Sequence, residues 1–366
     1  MGLFTPPEEL LMNALISQYP QVHIERCLGT IDAVFRNVLK RERRLLAYLQ
    51  NYEATYLRKS LVQLCYDYDV LIQYQEPCPK SIDDVIVEDE DWDITALLVN
   101  GAPKEATVVT DDTERISKKM DNALYLLLSK YEGIHGWETS TAFFKKLSSD
   151  ASCRISYSYV LPLQQLRQYQ GKARLAAKNI WREILGDANV PQFVKPFLAL
   201  SYLTQECGYD QNAFDEVEFD ATALPKDPVP HLAYGPLVEK RGICSGLAWA
   251  FKVLMDEANV ECRCISGYLK EDMKTGHLWN LVKIDGQFYH VDPTWGIKDE
   301  GVFVSCLMQP DAMMKSTHLW ETRQYPSARG MRFDYDYIEE YLFQNGADLV
   351  ADGANERYLF PDDIVE

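Results

Sequence analysis

"RGICSGLAWAFKVLMDEANV", residues 241–260, sets a cysteine between two glycines at the head of an apolar-striped segment. Leu247, Ala250, Phe251, Leu254 and Ala258 recur at helical spacing, which predicts a helix packed on a core by that face. Cys244 then falls before or within the first turn. There the unpaired backbone N–H groups and the positive end of the helix dipole favour an anion. The thiolate is the nucleophilic form of cysteine, and helix N-termini lower the pKa of a thiol. Gly242 and Gly246 are expected to leave room beside the sulfur for a substrate backbone. The N–H groups around Ser245 and Gly246 are expected to line an oxyanion site.

A nucleophile needs a base, and the base needs a group to orient it. Both are sought downstream, in "GHLWNLVKIDGQFYHVDPTW" (276–295). Asp285-Gly286 is a strong two-residue hairpin signal. It sets Ile284 opposite Gln287, so Trp279 faces Asp292 and His277 faces Thr294. His277 and Asp292 then lie diagonally on one face of the hairpin, within side-chain reach. A slip of one residue would destroy the relation. With Cys244 they form a candidate triad in which Asp292 fixes the imidazole tautomer and stabilises the imidazolium. His290 shares the parity of Asp292 and reads as structural. Cys262 and Cys264 share a strand face without a second ligand pair at zinc spacing, so no metal is expected.

The whole chain has 366 residues, enough for two domains or one with an elaborate flank. Its 47% hydrophobic and 25% charged residues are globular values. The formal net charge of −18 argues against nucleic acid and against an anionic membrane surface as partners. No run of about 18 apolar residues could span a bilayer. The opening "MGLFTPPEELLMNALISQYP" lacks the basic n-region and apolar core of a secretory signal. Nine scattered cysteines, in a chain too large to need disulfide staples, suggest a reducing, cytoplasmic setting.

Residues 1–163 read as a mixed, mostly helical region, with the first 60 residues helical and a strand at "YDYDVLIQYQ" (66–75). The acidic stretch 76–93 reads as a linker or surface loop, without the ligand spacing of a calcium loop. A helix is predicted over 116–133 and a strand over 153–163. Two further helices are predicted to end at Gly186 and Gly208. Strands are predicted at "ECRCISGYL", "HLWNLVKI" and "QFYHVDPTW", with another at "GVFVSCLM". Residues 164–332 are the expected catalytic domain, and 333–366 an acidic helix and tail.

"YGPLVEKRGICSGLAWAF…GHLWNLVKIDGQFYHVDPTW" resembles the transglutaminase-like superfamily, especially its bacterial members. The likeness extends upstream to "YLTQECGYD" (202–210) and downstream to "FVSCLMQPDAMMKSTHLWETRQYP". It implies an α+β fold of papain-like architecture, a cysteine helix packed on an antiparallel sheet carrying His and Asp. It implies Cys244 as nucleophile, His277 as general base and acid, and Asp292 as orienter, with Tyr234 lining the oxyanion or substrate site or else packing. Trp279 and Trp295 would wall the cleft or fill core. Leu247, where many relatives have tyrosine, and Ser245, where a longer polar residue is common, depart from the pattern. The reaction expected is acyl transfer at an amide or peptide bond through a thioester, hydrolytic by preference, with no cofactor and a protein or peptide substrate. The alternatives are a cross-linking transglutaminase or a non-catalytic peptide-binding module, with residues 1–163 as a surface for a partner protein.

Overall fold

The computed structural model describes residues 5–60, 65–76, 78–88, 105–143, 150–219, 224–272, 276–298 and 303–361. The chain divides into two compact units, one of residues 1–123 and 137–157, the other of 124–136 and 158–366.

The first unit holds more strand than the sequence promised. Helices Pro7–Ile16 and Ile31–Arg41 are present, the first opened by Pro6-Pro7 and the second capped by the Thr30 side chain. Between and after them, however, Gln21–Cys27 and Leu49–Ser60 are strands, flanking Cys65–Tyr74 in a three-stranded antiparallel sheet. The expected all-helical opening is therefore corrected. "RNVLKRERRLLAYLQ" is helical only to Arg41, passes through a short 3₁₀ turn, and enters the sheet at Leu49. Burial decides this: Leu45, Leu46 and Tyr48 drop into the core formed with Phe35, Val38 and Val70. Part of the acidic 76–93 stretch is also a strand, Val85–Val87, parallel to Glu105–Thr110. Residues 77 and 89–93 of that stretch lie outside the described residues.

The second unit is built on a four-stranded antiparallel sheet, ordered Gln287–Val291, Gly276–Ile284, Cys262–Leu269, His318–Leu319. Its hairpin has the register expected from Asp285-Gly286, with Ile284 opposite Gln287 and Leu281 opposite His290. Asp285 and Gly286 both take positive φ, 47° and 76°, as a primed turn requires. The helix Cys244–Glu257 covers one sheet face. Its Ala248, Ala250 and Leu254 share a core with Leu278, Val282 and Ile284. The opposite face, with Ile265, Trp279 and Leu281, is closed by Met314 and Ala328.

Helices Leu163–Leu185 and Lys195–Glu206 back the cysteine helix, and Trp181 donates its indole N–H to the Leu254 carbonyl at 2.8 Å. Two strand expectations fail here. "DPTW" is a helix, Pro293–Lys298, because Asp292 and Pro293 supply a helix start. Residues 303–308 of "GVFVSCLM" form turns, joined to the sheet only through the Gln309–His290 bridge, and 301–302 lie outside the described residues. The closing helix Tyr335–Ala351 contributes Ile338, Leu342 and Leu349 to the same core as the cysteine helix.

The glycine flanking the cysteine has a packing reason. A Cβ on Gly246 would lie 2.2 Å from the Pro230 carbonyl oxygen, so the 229–232 segment can cross the helix start only over hydrogen. Gly246→Ala is therefore expected to lower stability by about 1–3 kcal/mol through forced backbone displacement. A denaturant midpoint unchanged from the parent protein would contradict this packing account.

Candidate active site

Three elements bring the site together. The cysteine helix starts after Ile243, which is extended and supplies no side-chain cap, so the first turn's N–H groups are not claimed by a capping side chain. The Cys244 sulfur lies beside the opening of the strand Gly276–Ile284, where the His277 ring and the Leu278 backbone N–H both bear on its charge. The His277 Nε2 is 2.8 Å from Asp292 Oδ2. Because Nε2 is engaged by the carboxylate, Nδ1 is the ring nitrogen left for the sulfur. The structure thus brings Cys244, His277 and Asp292 together, with His277 hydrogen-bonded to Asp292 and neighbouring the sulfur.

Asp292 is held at both oxygens. Oδ1 accepts the Thr294 backbone N–H at 2.9 Å, an N-cap bond that explains why Asp-Pro-Thr ends a strand and begins a helix. Oδ2 accepts from His277 and also, at 3.1 Å, from Nε2 of His318. The Nδ1 of His318 is 2.8 Å from the Thr317 hydroxyl, which can donate to it and so leave the ring proton on Nε2. His318 is fully buried and is the member of the site that the sequence reading missed. It sits in a strand of two residues, Thr317 supplies no periodicity, and nothing local marks it.

The electrostatics follow from this line. Burial pushes the Cys244 thiol up, but the His277 hydrogen bond and charge, with the Leu278 amide, outweigh it and hold the thiol below its ordinary value. Burial alone would discharge His277, yet the Asp292 charge and hydrogen bond, then the contact with Cys244, raise it to about 10. Burial likewise opposes the Asp292 charge, and His277 and His318 together hold the carboxyl well below the usual carboxylate range. Both shifts run in the direction of a thiolate–imidazolium pair.

The other expected residues are placed differently. Trp279 is fully buried, stacks near-parallel to His277 at 5.7 Å, and donates its indole N–H to His290 Nδ1 at 3.0 Å. His290 donates in turn from Nε2 to Asp311 at 2.9 Å, and burial lowers its pKa despite that carboxylate. Its ring is neutral and serves to fix Trp279 beneath His277. Tyr234 packs edge-on against Tyr169 with Lys172 over its ring, and makes no hydrogen bond to the triad among the described residues. The Ser245 hydroxyl is buried beside the nucleophile without a hydrogen-bond partner among the described residues. The room expected at the glycines is filled by the chain itself: Pro230 and Leu232 at Gly246, Pro236 at Gly242.

Tyr209, of the "YD" pair, is close enough that burial and the charges of Cys244 and Asp292 push its phenol above the ordinary range. Its neighbour Asp210 pairs with Arg241 at 2.9 Å, and Arg241 also holds Asp227 and Glu239, tying the approach to Cys244 on both sides.

His277, Asp292 and His318 each offer a ligand atom within 4.8 Å of the others, a set that could hold a metal ion. Both Nε2 atoms, however, carry protons when they bond Asp292, so an ion and these hydrogen bonds are alternatives. Cys262 and Cys264 lie under the cysteine helix near the Asn280 amide, with burial pushing Cys262 up to about 12 and Cys264 well above its usual value. As thiols they are poor metal ligands.

Alkylation of Cys244 by iodoacetamide is expected to proceed from pH values well below those needed by Cys78, whose thiol burial pushes up to about 11. Coincident pH profiles would refute the ion pair. His318→Phe removes one donor from Asp292 and concentrates its charge on His277. The high-pH limb, where the imidazolium is lost, should then move upward from about 10. A purely packing role for His318 would leave that limb in place. Asp292→Ala lets burial discharge His277 and leaves the Thr294 amide and the His318 ring without their buried acceptor, which should destabilise the fold by about 1–3 kcal/mol for each orphaned donor. It should also raise the thiol pKa, and alkylation at neutral pH that stayed as fast as in the parent would contradict this.

Residues 200–293 match the family model of the transglutaminase-like superfamily, a span that includes Cys244, His277 and Asp292. No curated protein matches the sequence at significant similarity. Among solved structures the chain is similar to a candidate cysteine protease from Cytophaga hutchinsonii, at 13% identity over 50% of this chain and 72% of that one, with a TM-score of 0.27. It is also similar to the periplasmic domain of TgpA from Pseudomonas aeruginosa, at 15% identity over 46% and 68%, with a TM-score of 0.25. A structure described as a TGase overlaps at 13% identity over 77% and 78%, with a TM-score of 0.26. Overlaps at these scores carry no structural argument, and the identification rests on the matched segment. Residues 200–293 of this chain are a transglutaminase-like superfamily domain.

Proposed function

We propose that this protein catalyses thiol-dependent acyl transfer at an amide or peptide bond, with hydrolysis as its outcome. The observation that carries the reading is the buried His277–Asp292 hydrogen bond beside the Cys244 sulfur, with the thiol lowered and the imidazole raised. A thiolate at a helix start attacks the carbonyl carbon, and the developing oxyanion meets the N–H groups of the uncapped first turn. The His277 imidazolium gives its proton to the leaving amine as the C–N bond breaks, leaving a thioester on Cys244. The neutral imidazole then takes a proton from water as it attacks, and the acid and free thiolate are released. Asp292 stays ionised throughout, and His318 holds it in plane.

The same residues would serve a transglutaminase if a lysine amine replaced water, so the acceptor decides the outcome. Hydrolysis is favoured because the sulfur is enclosed: Cys244 is 9% and His277 6% exposed. Water reaches such a site more readily than a second protein's lysine. A polypeptide substrate requires some displacement of the groups around Tyr209 and Pro230. The substrate is a protein or peptide. No helix among the described residues is long and apolar enough to cross a membrane. No disulfide joins the nine cysteines among the described residues, as fits the cytoplasmic setting proposed here.

The test is a pool of unstructured peptides incubated with the protein and a fluorescent primary amine, read by mass spectrometry. New peptide termini, or deamidated glutamine, without amine incorporation are expected. Cys244→Ala should abolish the products, and His277→Ala should lower their rate by at least about 10². Amine incorporation as the dominant product would replace hydrolysis with cross-linking. Absence of any acyl product, with Cys244 still alkylated as a thiolate, would leave a binding module as the reading.

A further inference from the structure

Far along the chain from the triad residues, the closing helix and the segment before it leave an apolar surface unpaired. Two adjoining depressions make it up. One, of 460 Å³, is floored by Phe197, Leu342, Phe343 and Phe360. The other, of 220 Å³, is lined by Val304, Met313 and Met331. They share Tyr335 and Asp336, so they form one continuous strip. Its side chains are more open than solvent-facing apolar residues usually are: Phe343 is 86%, Met331 76%, Met313 61% and Val304 56% exposed. Scattered single apolar residues need no explanation, but a contiguous strip of this kind marks a contact surface. Exposed methionines adapt to partners of varied shape.

The rim is acidic and uncompensated. Asp334, Asp336, Glu339 and Glu340 border the strip, and none of the four has a salt-bridge partner among the described residues. Asp334 caps its helix, while Glu339 accepts from the Tyr335 hydroxyl and Glu340 from the Gln344 amide, so no cation answers their charge. Residues 333–366 carry ten carboxylates against a single basic residue, Arg357, which is bound to Glu206. Arg332, next to the strip in sequence, lies over the Phe333 ring with its nearest carboxylate at Asp285.

From this charge pattern we infer that the strip docks a cationic amphipathic helix of another protein, its apolar stripe on the Met331–Phe343 floor and its lysines or arginines on the acidic rim. Charge selects this occupant over two others. The sequence that follows Pro361, "DDIVE", would add three carboxylates to an acidic rim. A second copy of the chain would present the same four uncompensated carboxylates to its twin, and like charges across a contact oppose association. A helix with opposite charge and an apolar stripe satisfies both parts of the surface.

The test uses the full chain and a labelled helical peptide of leucine and lysine, with leucines at i, i+3, i+4 and i+7. Its scrambled isomer and a version with glutamate in place of lysine serve as controls. Fluorescence anisotropy should show binding of the first peptide alone, weakening as salt rises. Combined Met331→Ser and Phe343→Ser, at exposed positions that the fold does not need, should weaken it at least about tenfold. Combined Asp336→Asn, Glu339→Gln and Glu340→Gln should also weaken it and flatten the salt dependence. Equal binding of the scrambled isomer, or indifference to either set of substitutions, would overturn the proposal. So would concentration-dependent dimerisation abolished by Phe343→Ser, which would assign the strip to a second copy. Peptide binding that appears only after removal of 362–366 would assign it to the chain's own end. Alkylation of Cys244 in the same variants should be unchanged, so failure here and failure of the proposed chemistry are read separately.

Discussion

The second unit depends on a carboxylate that has no contact with water. Asp292 is fully buried, and an isolated ion there would be pushed to its neutral form by several kcal/mol of lost hydration. It stays charged because each oxygen is answered: one by a backbone amide, the other by two imidazoles. These bonds fix more than a charge. The Thr294 amide makes Asp292 the N-cap of the helix Pro293–Lys298, so the chain turns at the point where the strand ends. The two histidines reach it from different strands of one sheet, so the sheet's edges are tied through the carboxylate. Without the charge on Asp292, His277 would be an ordinary buried imidazole, which burial discharges. Cys244 would then be an ordinary buried thiol.

Behind His277 a second buried pair repeats the device with a different result. His290 faces Asp311 as His277 faces Asp292, yet burial lowers the pKa of His290 and leaves it neutral. Asp311 is only part-buried and is shared with Ser327 and the Ala328 amide, and the other ring nitrogen also has a different partner. That of His277 faces a sulfur that can carry negative charge, whereas Nδ1 of His290 accepts an indole proton from Trp279. A ring that must accept at one nitrogen cannot be doubly protonated without losing that bond. One His–Asp pair thus holds a mobile proton, and the other locks a tautomer and, through it, the tryptophan on which His277 stacks.

Much of this was legible in the sequence, and the reason is geometric. A two-residue turn at Asp285-Gly286 fixes register without reference to the rest of the fold, so the His277–Asp292 relation could be counted out along two strands. The cysteine helix was legible because an apolar stripe from Leu247 to Ala258 follows Cys244 at helical spacing. His318 was not, because its strand has two residues and its partner across the sheet is Leu269, 49 positions away. The "DPTW" helix was misread because Asp before Pro is compatible with a strand end and with a helix cap, and only the Thr294 amide decides. In the first unit, the basic run after Phe35 keeps helical periodicity past Arg41. The burial of Leu45, Leu46 and Tyr48 against Phe35 and Val70 overrides it, an outcome that no local pattern encodes.

The glycines beside the cysteine show how a sound chemical expectation can attach to the wrong backbone. Small residues at a nucleophile do admit close approach, but at Gly246 and Gly242 the approaching atoms belong to Pro230, Leu232 and Pro236 of the same chain. This packing has a chemical effect. It brings the 229–236 segment over the helix start and keeps bulk water from the sulfur, which strengthens the His277 contact that lowers the thiol. The enclosure around the sulfur would therefore also be the barrier to a substrate in the proposed reaction, and the two demands meet at the segments that Arg241 ties together. Arg241 is itself partly exposed, with its guanidinium shared among Asp210, Asp227 and Glu239. Ion pairs of that kind hold geometry at modest energetic cost. The buried part of the site lies in the Asp292 cluster and the partly exposed part at the Arg241 ties, the division that the proposed acyl-transfer chemistry requires.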